Sequence, residues 1–226
     1  LAGDGAARVD DPRGEPGVAI KEWDPKTPYL EALRRTPAER RLAVYLAQRK
    51  SYGASPAFYL DCGGHLLKAG EERLALQVLS NIADTMRDVK SRGKKTLAVV
   101  GPAVIHTGAG RYLSSLIEAG FINVLFAGNA VGVHDVEWAL LGTSLGIYLD
   151  SGASAPGGHT HHLRAINTIR KHGGLKAAVN AGVLTKGVMY SCIEHGVDYV
   201  LSGSIRDDGP LPDVITDSSE AQDAMR

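Results

Sequence analysis

The stretch Thr96-Leu-Ala-Val-Val100-Gly101-Pro102 decides the fold. Its apolar run is short and is broken at once by Gly-Pro, the signature of a strand buried in a parallel sheet. Similar runs recur downstream: Asn123-Val-Leu-Phe126 ending in Gly128-Asn129, Gly146-Ile-Tyr-Leu149 ending at Asp150, and Val197 to Leu201. Between them, helical spacing spans 111–119, 134–141, 161–172, 175–181 and 184–195, and residues 218–226 read as a last helix. Strands alternating with helices of about 10 residues predict an α/β fold with a doubly wound, mostly parallel, Rossmann-like sheet.

Upstream of this region the texture is helical. Leu74, Leu76, Val78, Leu79, Ile82, Ala83, Met86 and Val89 recur at helical spacing over 71–92, with Gly93 as the stop. A boundary is therefore expected near residue 93, with 1–92 as an N-terminal segment of loop plus helices and 93–226 as the α/β domain. Residues 1–28 read as loop or extended chain. Thr27-Pro28 and Thr36-Pro37 mark helix starts, and Thr36 with Glu39 spells a capping box. The helix from Pro37 to about Lys50 puts Leu42, Tyr45 and Leu46 on one face. Ala57 to Leu60 reads as a short strand and Cys62-Gly63-Gly64 as a turn. The chain starts with Leu1 and stops at Arg226 inside a helical pattern, so both ends are expected to be cut.

The 226 residues carry 25 basic and 25 acidic side chains, so no net charge draws the protein to nucleic acid or a membrane surface. No apolar run reaches the length of a membrane span. Cys62 and Cys192 lie far apart in no CxxC pattern and read as small core residues, which makes a reducing cytoplasmic setting the expectation.

Four polar or Gly-rich loops follow the predicted strands: 101–110, 128–135, 150–162 and 203–217. In a parallel sheet they open on one edge and can line one crevice. In the first, Thr107-Gly108-Ala109-Gly110 precedes a helix and reads either as an anion cradle or as a plain helix start. Leu113 stands where a dinucleotide G-x-G-x-x-G would need Gly. In the second, Gly128-Asn129-Ala130 allows close approach to the backbone, and Asp135 reads more readily as a helix N-terminal acid. The third holds His159, His161 and His162, which invite either a metal or a hydrogen-bonding and proton-shuttling role. No second ligand cluster accompanies them, so no metal is expected. Arg164 and Arg170 are open to a carboxylate or to solvent. The fourth, Gly203-Ser-Ile-Arg-Asp-Asp-Gly-Pro-Leu-Pro-Asp-Val-Ile-Thr-Asp217, is acidic and stiffened by prolines.

That last motif, together with Gly101 to Gly108, Gly128 to Ala130 with His134-Asp135, Gly142 to Gly146 and Gly157 to Asn167, resembles the archaeal-type ornithine cyclodeaminases. These carry the LOR/SDH label, and the resemblance covers about residues 93–226. It implies a deoxyhypusine-synthase-like NAD-binding domain and conversion of L-ornithine to L-proline and ammonia through an imine, with NAD used catalytically. It also implies a small-molecule amino-acid substrate and a homo-oligomer. By motif position NAD would meet Gly101, Pro102, Ala103, His106, Thr107, Gly108, Gly128, Asn129, Ala130, His134, Asp135, Asp150, Gly158, His159 and His162. Asp207, Asp208 and Asp213 would face the substrate amines, with Arg206 near the carboxylate and either Asp207 or Asp208 moving the proton. The family continues past residue 226, so truncation at the C-terminus and an NAD-holding piece without turnover is the alternative. An NAD-dependent enzyme acting on another amino acid is a further one.

Overall fold

A computed structural model describes residues 26–53, 55–205 and 207–226. The loop expected over 1–25 and the role expected for Arg206 lie outside the described residues. The chain divides into two compact units, 1–84 and 85–226.

The first unit is helical: α1 (Pro28–Arg34), α2 (Ala38–Tyr52), α3 (Pro56–Lys68) and α4 (Glu72–Ser91), whose last turns pass into the second unit. Its core is aromatic, with Phe58 fully buried between Tyr29 at 5.1 Å and a stacked Tyr45 at 5.4 Å. Rings offset in this way gain more than their buried area alone. The strand expected at 57–60 is instead part of α3. Phe58, Cys62 and Leu66 are all buried and lie four residues apart, so the apolar pattern is helical, and Pro56 pre-sets the first turn. The capping box at Thr36 does not form, because Thr36 Oγ1 donates to the Ala32 carbonyl of the preceding helix at 2.7 Å. Of the expected α2 face only Tyr45 is buried, while Leu42 and Leu46 are exposed.

The second unit is the expected α/β fold. Strands β1 (Leu97–Val100), β2 (Val124–Gly128), β5 (Asp198–Ser202) and β6 (Val214–Ile215) form one parallel sheet in the order β1-β2-β5-β6. Helices α5 (Ala103–His106), α6 (Gly110–Glu118), α7 (Asn129–Leu141), α8 (His161–His172), α9 (Leu175–Asn180) and α10 (Val188–Glu194) connect them, and α11 (Ser218–Ala224) follows β6. The core joins Leu125, Ala127 and Leu201 of the sheet to Val131, Val136, Ile169, Leu184 and Met189. Because every strand runs the same way, the ends at Val100, Gly128, Ser202 and Ile215 share one edge.

Three local expectations change. The run 146–149 is not a fifth parallel strand: Thr143–Ser144 (β3) pairs antiparallel with Ile147–Tyr148 (β4) in a separate hairpin. Leu145 and Gly146, with φ of 54° and 71°, form its turn, and positive φ at both central residues is what a tight hairpin requires. Helix α7 begins at Asn129, five residues before the expected start, so 128–135 is mostly helix rather than loop. Helix α10 begins at Val188, four residues late.

The late start of α10 has a cause in α7. Asp135 is fully buried and its carboxylate accepts the N–H of Val188 at 2.9 Å and of Met189 at 2.8 Å. Gly187, at φ 107°, carries the chain into this cap, and a Cβ there would sit 2.7 Å from Asp135 Oδ2. Strain and clash coincide, so Gly187→Ala should cost about 2–4 kcal/mol. For a chain of this size that lowers Tm by roughly 4–16 °C. Calorimetry of wild type and variant checks this, and an unchanged Tm would show that the cap does not govern the entry to α10.

Candidate active site

One amide makes two of the bonds that hold the acidic loop at the carboxyl edge of the sheet. Asn129, the first residue of α7 and buried, accepts Leu211 N–H on Oδ1 at 3.0 Å and donates from Nδ2 to the Gly209 carbonyl at 3.3 Å. Arg170 Nη2 adds a bond to the Pro210 carbonyl at 3.0 Å, which gives this arginine a local backbone partner. His162 Nε2 meets Asp208 Oδ2 at 3.0 Å, and Asp207 Oδ2 accepts the Ser204 N–H at 2.7 Å.

These contacts shape a pocket of about 120 Å³. Its walls are Asn129, Ala130, Val133 and His134 of α7, Leu145 of the hairpin turn, His162 and Ile166 of α8, and Asp207, Asp208 and Gly209. Pockets that enclose drug-sized ligands run to several hundred Å³, so this one suits an amino acid or a single ring rather than a dinucleotide. Its lining combines two carboxylates, two imidazoles and an amide with the apolar side chains of Val133, Leu145 and Ile166.

Behind the pocket lies a buried polar network. Glu137 is fully buried, and its carboxylate accepts Thr143 Oγ1 at 2.8 Å, Gly146 N–H at 2.8 Å and Leu145 N–H at 3.1 Å. His134 Nδ1 completes the set at 2.9 Å from Oε2. Burial pushes the Glu137 carboxyl up, but the bonds from His134, Gly146 and Thr143 outweigh it and hold the group below the ordinary glutamate value. Since the Thr143 hydroxyl gives its hydrogen to Glu137, it accepts from His161 Nδ1 at 2.8 Å. His106 Nδ1 pairs with Ser144 Oγ at 2.7 Å, and its ring stands edge-to-face on His134 at 4.8 Å. The His106 pKa is lowered by burial first and then by His134.

The residues singled out from sequence separate into groups. Asn129, Ala130, His134, His162, Asp207 and Asp208 come together in the pocket. Gly101, Pro102, Ala103, Thr107 and Gly128 lie on the same edge, exposed at or just beyond the ends of β1 and β2. Gly108, half-buried, lies in the same turn, and a Cβ on it or on Gly101 would meet nothing within 4 Å. His106 backs His134 from outside the pocket lining. Others are committed elsewhere. Asp135 caps α10. Asp213 Oδ2 accepts Leu175 N–H at 2.9 Å and bonds Tyr199, whose hydroxyl pKa is raised by burial first and by that carboxylate next. Asp217 caps α11 through Ser219 and Glu220. Gly158 is pressed against Gly146, where a Cβ would meet the Gly146 oxygen at 2.6 Å. Asp150 and His159 are exposed. The three neighbouring histidines thus diverge, and among the described residues no group of three His, Cys, Asp or Glu is placed to hold a metal ion.

The sequence reading assigns no role to Glu137 and uses Thr143, Ser144 and Leu145 only as part of the Gly142 to Gly146 motif. A lone acid in Val136-Glu-Trp-Ala-Leu-Leu141, three residues after a histidine, was the available signal.

A parallel α/β unit with a polar pocket on its carboxyl edge defines a Rossmann-type domain. Residues 80–226 match the family described as arginine dihydrolase ArgZ-like, C-terminal, Rossmann fold, and the chain belongs to that family. The resemblance to archaeal-type ornithine cyclodeaminases is borne out: the chain is 53% identical over 163 residues to the ornithine cyclodeaminase of Methanocaldococcus jannaschii. That match covers 70% of this chain and 38% of the relative. A crystal structure of a conserved LOR/SDH protein from Methanococcus maripaludis superposes with a TM-score of 0.63 at 49% identity, covering 66% of this chain and 47% of that one. The ternary complex of AgrE with ornithine and NAD+ gives a TM-score of 0.63 at 46% identity, over 65% of this chain and 22% of that one. The chain spans well under half the length of the curated relatives it matches.

Glu137 carries a pH prediction. Its folded pKa lies below its unfolded value of 4.5, so its stabilisation is fully present above pH 4.5 and is lost as pH falls through the folded pKa. Glu137→Gln should cost about 2–4 kcal/mol at pH 7, because it leaves buried donors unsatisfied. The penalty should shrink below pH 4, and urea unfolding at pH 7 and pH 3.5 measures it. An equal penalty at both pH values would count against an ionised Glu137.

Proposed function

We propose that this chain is part of an NAD-dependent ornithine cyclodeaminase that converts L-ornithine to L-proline and ammonia. The observation that carries the reading is the pocket, whose lining combines Asp207 and Asp208 with Leu145, Val133 and Ile166. Carboxylates suit the two ammonium groups of a diamino acid, and the apolar side chains suit its methylene chain. A relative sharing the fold at 46% identity is described in complex with ornithine and NAD+, which supports the same ligands here.

The residues on the edge fit a dinucleotide. Gly101 and Gly108 present backbone with open space beyond it, and Pro102, Ala103, Thr107 and Gly128 are exposed beside them on the edge where parallel sheets bind nucleotides. His106, Asn129, Ala130, His134 and His162 join that edge to the pocket, so the reactive ring would meet the substrate there. Asp150 and His159, both exposed, and Gly158, packed on Gly146, complete the set that motif position implies. NAD, when bound, accepts a hydride from the amine-bearing carbon and returns it after ring closure. This chain orients the substrate amines with Asp207 and Asp208. Asp213 and Asp135 act through the backbone they hold.

The same reading places the protein in the cytoplasm as a homo-oligomer. Cys62 and Cys192 are free and buried, with burial pushing both thiols up to about 12. Among the described residues no helix is long and apolar enough to cross a membrane. Leu97 and Val99 of β1 are 48% and 73% exposed and offer an apolar surface for association.

The full-length polypeptide incubated with ornithine and catalytic NAD should yield proline and ammonia in equal amounts with no net NADH. Asp207→Asn and Asp208→Asn should each lower kcat/KM about 10²-fold, near 3 kcal/mol of lost transition-state binding. Absence of both products with intact NAD binding would sink the enzymatic reading and leave a binding domain.

A further inference from the structure

We propose that His134, oriented by Glu137, is the group that takes the proton from the substrate amine and gives it back. The inference rests on the function proposed above and departs from the cofactor-holding role that motif position implies for His134. An amine must lose its ammonium proton before the adjacent carbon can be oxidised, so the pocket needs a base that works near neutral pH. Imidazole is the side chain suited to that task.

The geometry supplies one imidazole with the correct nitrogen available. Glu137 is buried, accepts from Thr143, Leu145 and Gly146, and is held below its ordinary value, so it is a carboxylate. His134 Nδ1 must therefore carry the hydrogen in the 2.9 Å contact, which makes Nε2 the lone-pair nitrogen. Nε2 has no hydrogen-bond partner among the described residues and is not a sealed, unpaired atom, while the ring lines the pocket. A carboxylate behind the distal nitrogen fixes ring and tautomer, as in a catalytic dyad. His106 from α5 packs edge-to-face against the same ring at 4.8 Å.

Other candidates are worse placed. His161 is buried and spends Nδ1 on Thr143, outside the pocket lining. His162 is paired with Asp208, whose side chain is 71% exposed, and Asp207 is engaged by Ser204. The groups facing His134 are thus Glu137 from its own helix, His106 from α5, His162 from α8, and Asp207 and Asp208 from the loop.

The proton balance closes. One N–H bond of the α-ammonium breaks and its proton passes to Nε2. The imidazolium returns it to the same nitrogen, which then leaves as ammonia with the C–N bond pair. The δ-nitrogen sheds two protons to water while closing the ring, and ammonia and the product amine take two back. His134 ends neutral.

The test uses the full-length polypeptide. His134→Gln should keep NAD affinity within threefold while proline formation falls 10²–10⁴-fold, the usual range for a lost acid–base group. The acid limb of the kcat profile should flatten, and exogenous imidazole should restore part of the turnover of His134→Ala. Nitrogen NMR of the wild-type protein should show His134 protonated on Nδ1, with Nε2 shifting on saturation with ornithine. Retention of more than a tenth of wild-type turnover by His134→Gln overturns the inference. So does loss of NAD affinity in step with turnover. An Nε2-protonated tautomer, or an Nε2 resonance unmoved by ornithine, overturns it even if neither variant folds. A wild-type protein that makes no proline fails the function itself, whereas an active wild type with an active His134→Gln fails only this step.

Discussion

The site depends on one buried charge. An uncompensated carboxylate in a dry interior costs several kcal/mol, so Glu137 is tolerable only because donors surround it. Two of those donors are the backbone N–H groups of Leu145 and Gly146, the turn residues with positive φ. A non-glycine residue such as Leu145 avoids that region unless its surroundings compel it, and here the carboxylate does the compelling. The turn then holds Leu145 at the pocket, and the same oxygens orient the Thr143 hydroxyl and the His134 ring. Helix, hairpin and pocket wall are therefore one mechanical unit.

Two residues back along α7, Asp135 reaches another way. Burial pushes its carboxyl up to about 6, opposed by the N–H groups of Met189 and Val188. Those bonds and the dipole of α10 favour the charged form at its N-terminus. Apart from Asn129 and His134, the rest of helix α7 is apolar, and its two acids tie it to the hairpin and to α10. A helix held at both acids carries Asn129, Ala130 and His134 into the pocket.

The parallel sheet was legible because buried parallel strands are short apolar runs ending in glycine, and 97–100, 124–128 and 198–202 conform. The run at 146–149 carries the same apolar signal, yet hairpin and parallel strand differ in backbone dihedrals at Leu145 and Gly146, which composition does not encode. The short β6 was hidden among prolines and aspartates. In the acidic loop the motif indicated function, but neighbours in space sorted its acids: Asp213 and Asp217 cap helices while Asp207 and Asp208 reach the pocket. Glu137 escaped because its partners, Thr143 to Gly146, are brought near only by the hairpin.

Asn129 explains how one short segment serves both the edge and the pocket. It is the first residue after β2, where the backbone of Gly128 is still extended and open, and its amide carries the acidic loop at Gly209 and Leu211. A side chain with both a donor and an acceptor is needed, since one loop group is a carbonyl and the other an N–H. Aspartate would leave the Gly209 carbonyl facing a second acceptor, and an apolar residue would orphan both. The loop's aspartates are therefore positioned from the strand end itself. The amide of Asn129 thus ties the end of β2 to the loop that carries Asp207 and Asp208, alongside the bonds from Arg170 and His162.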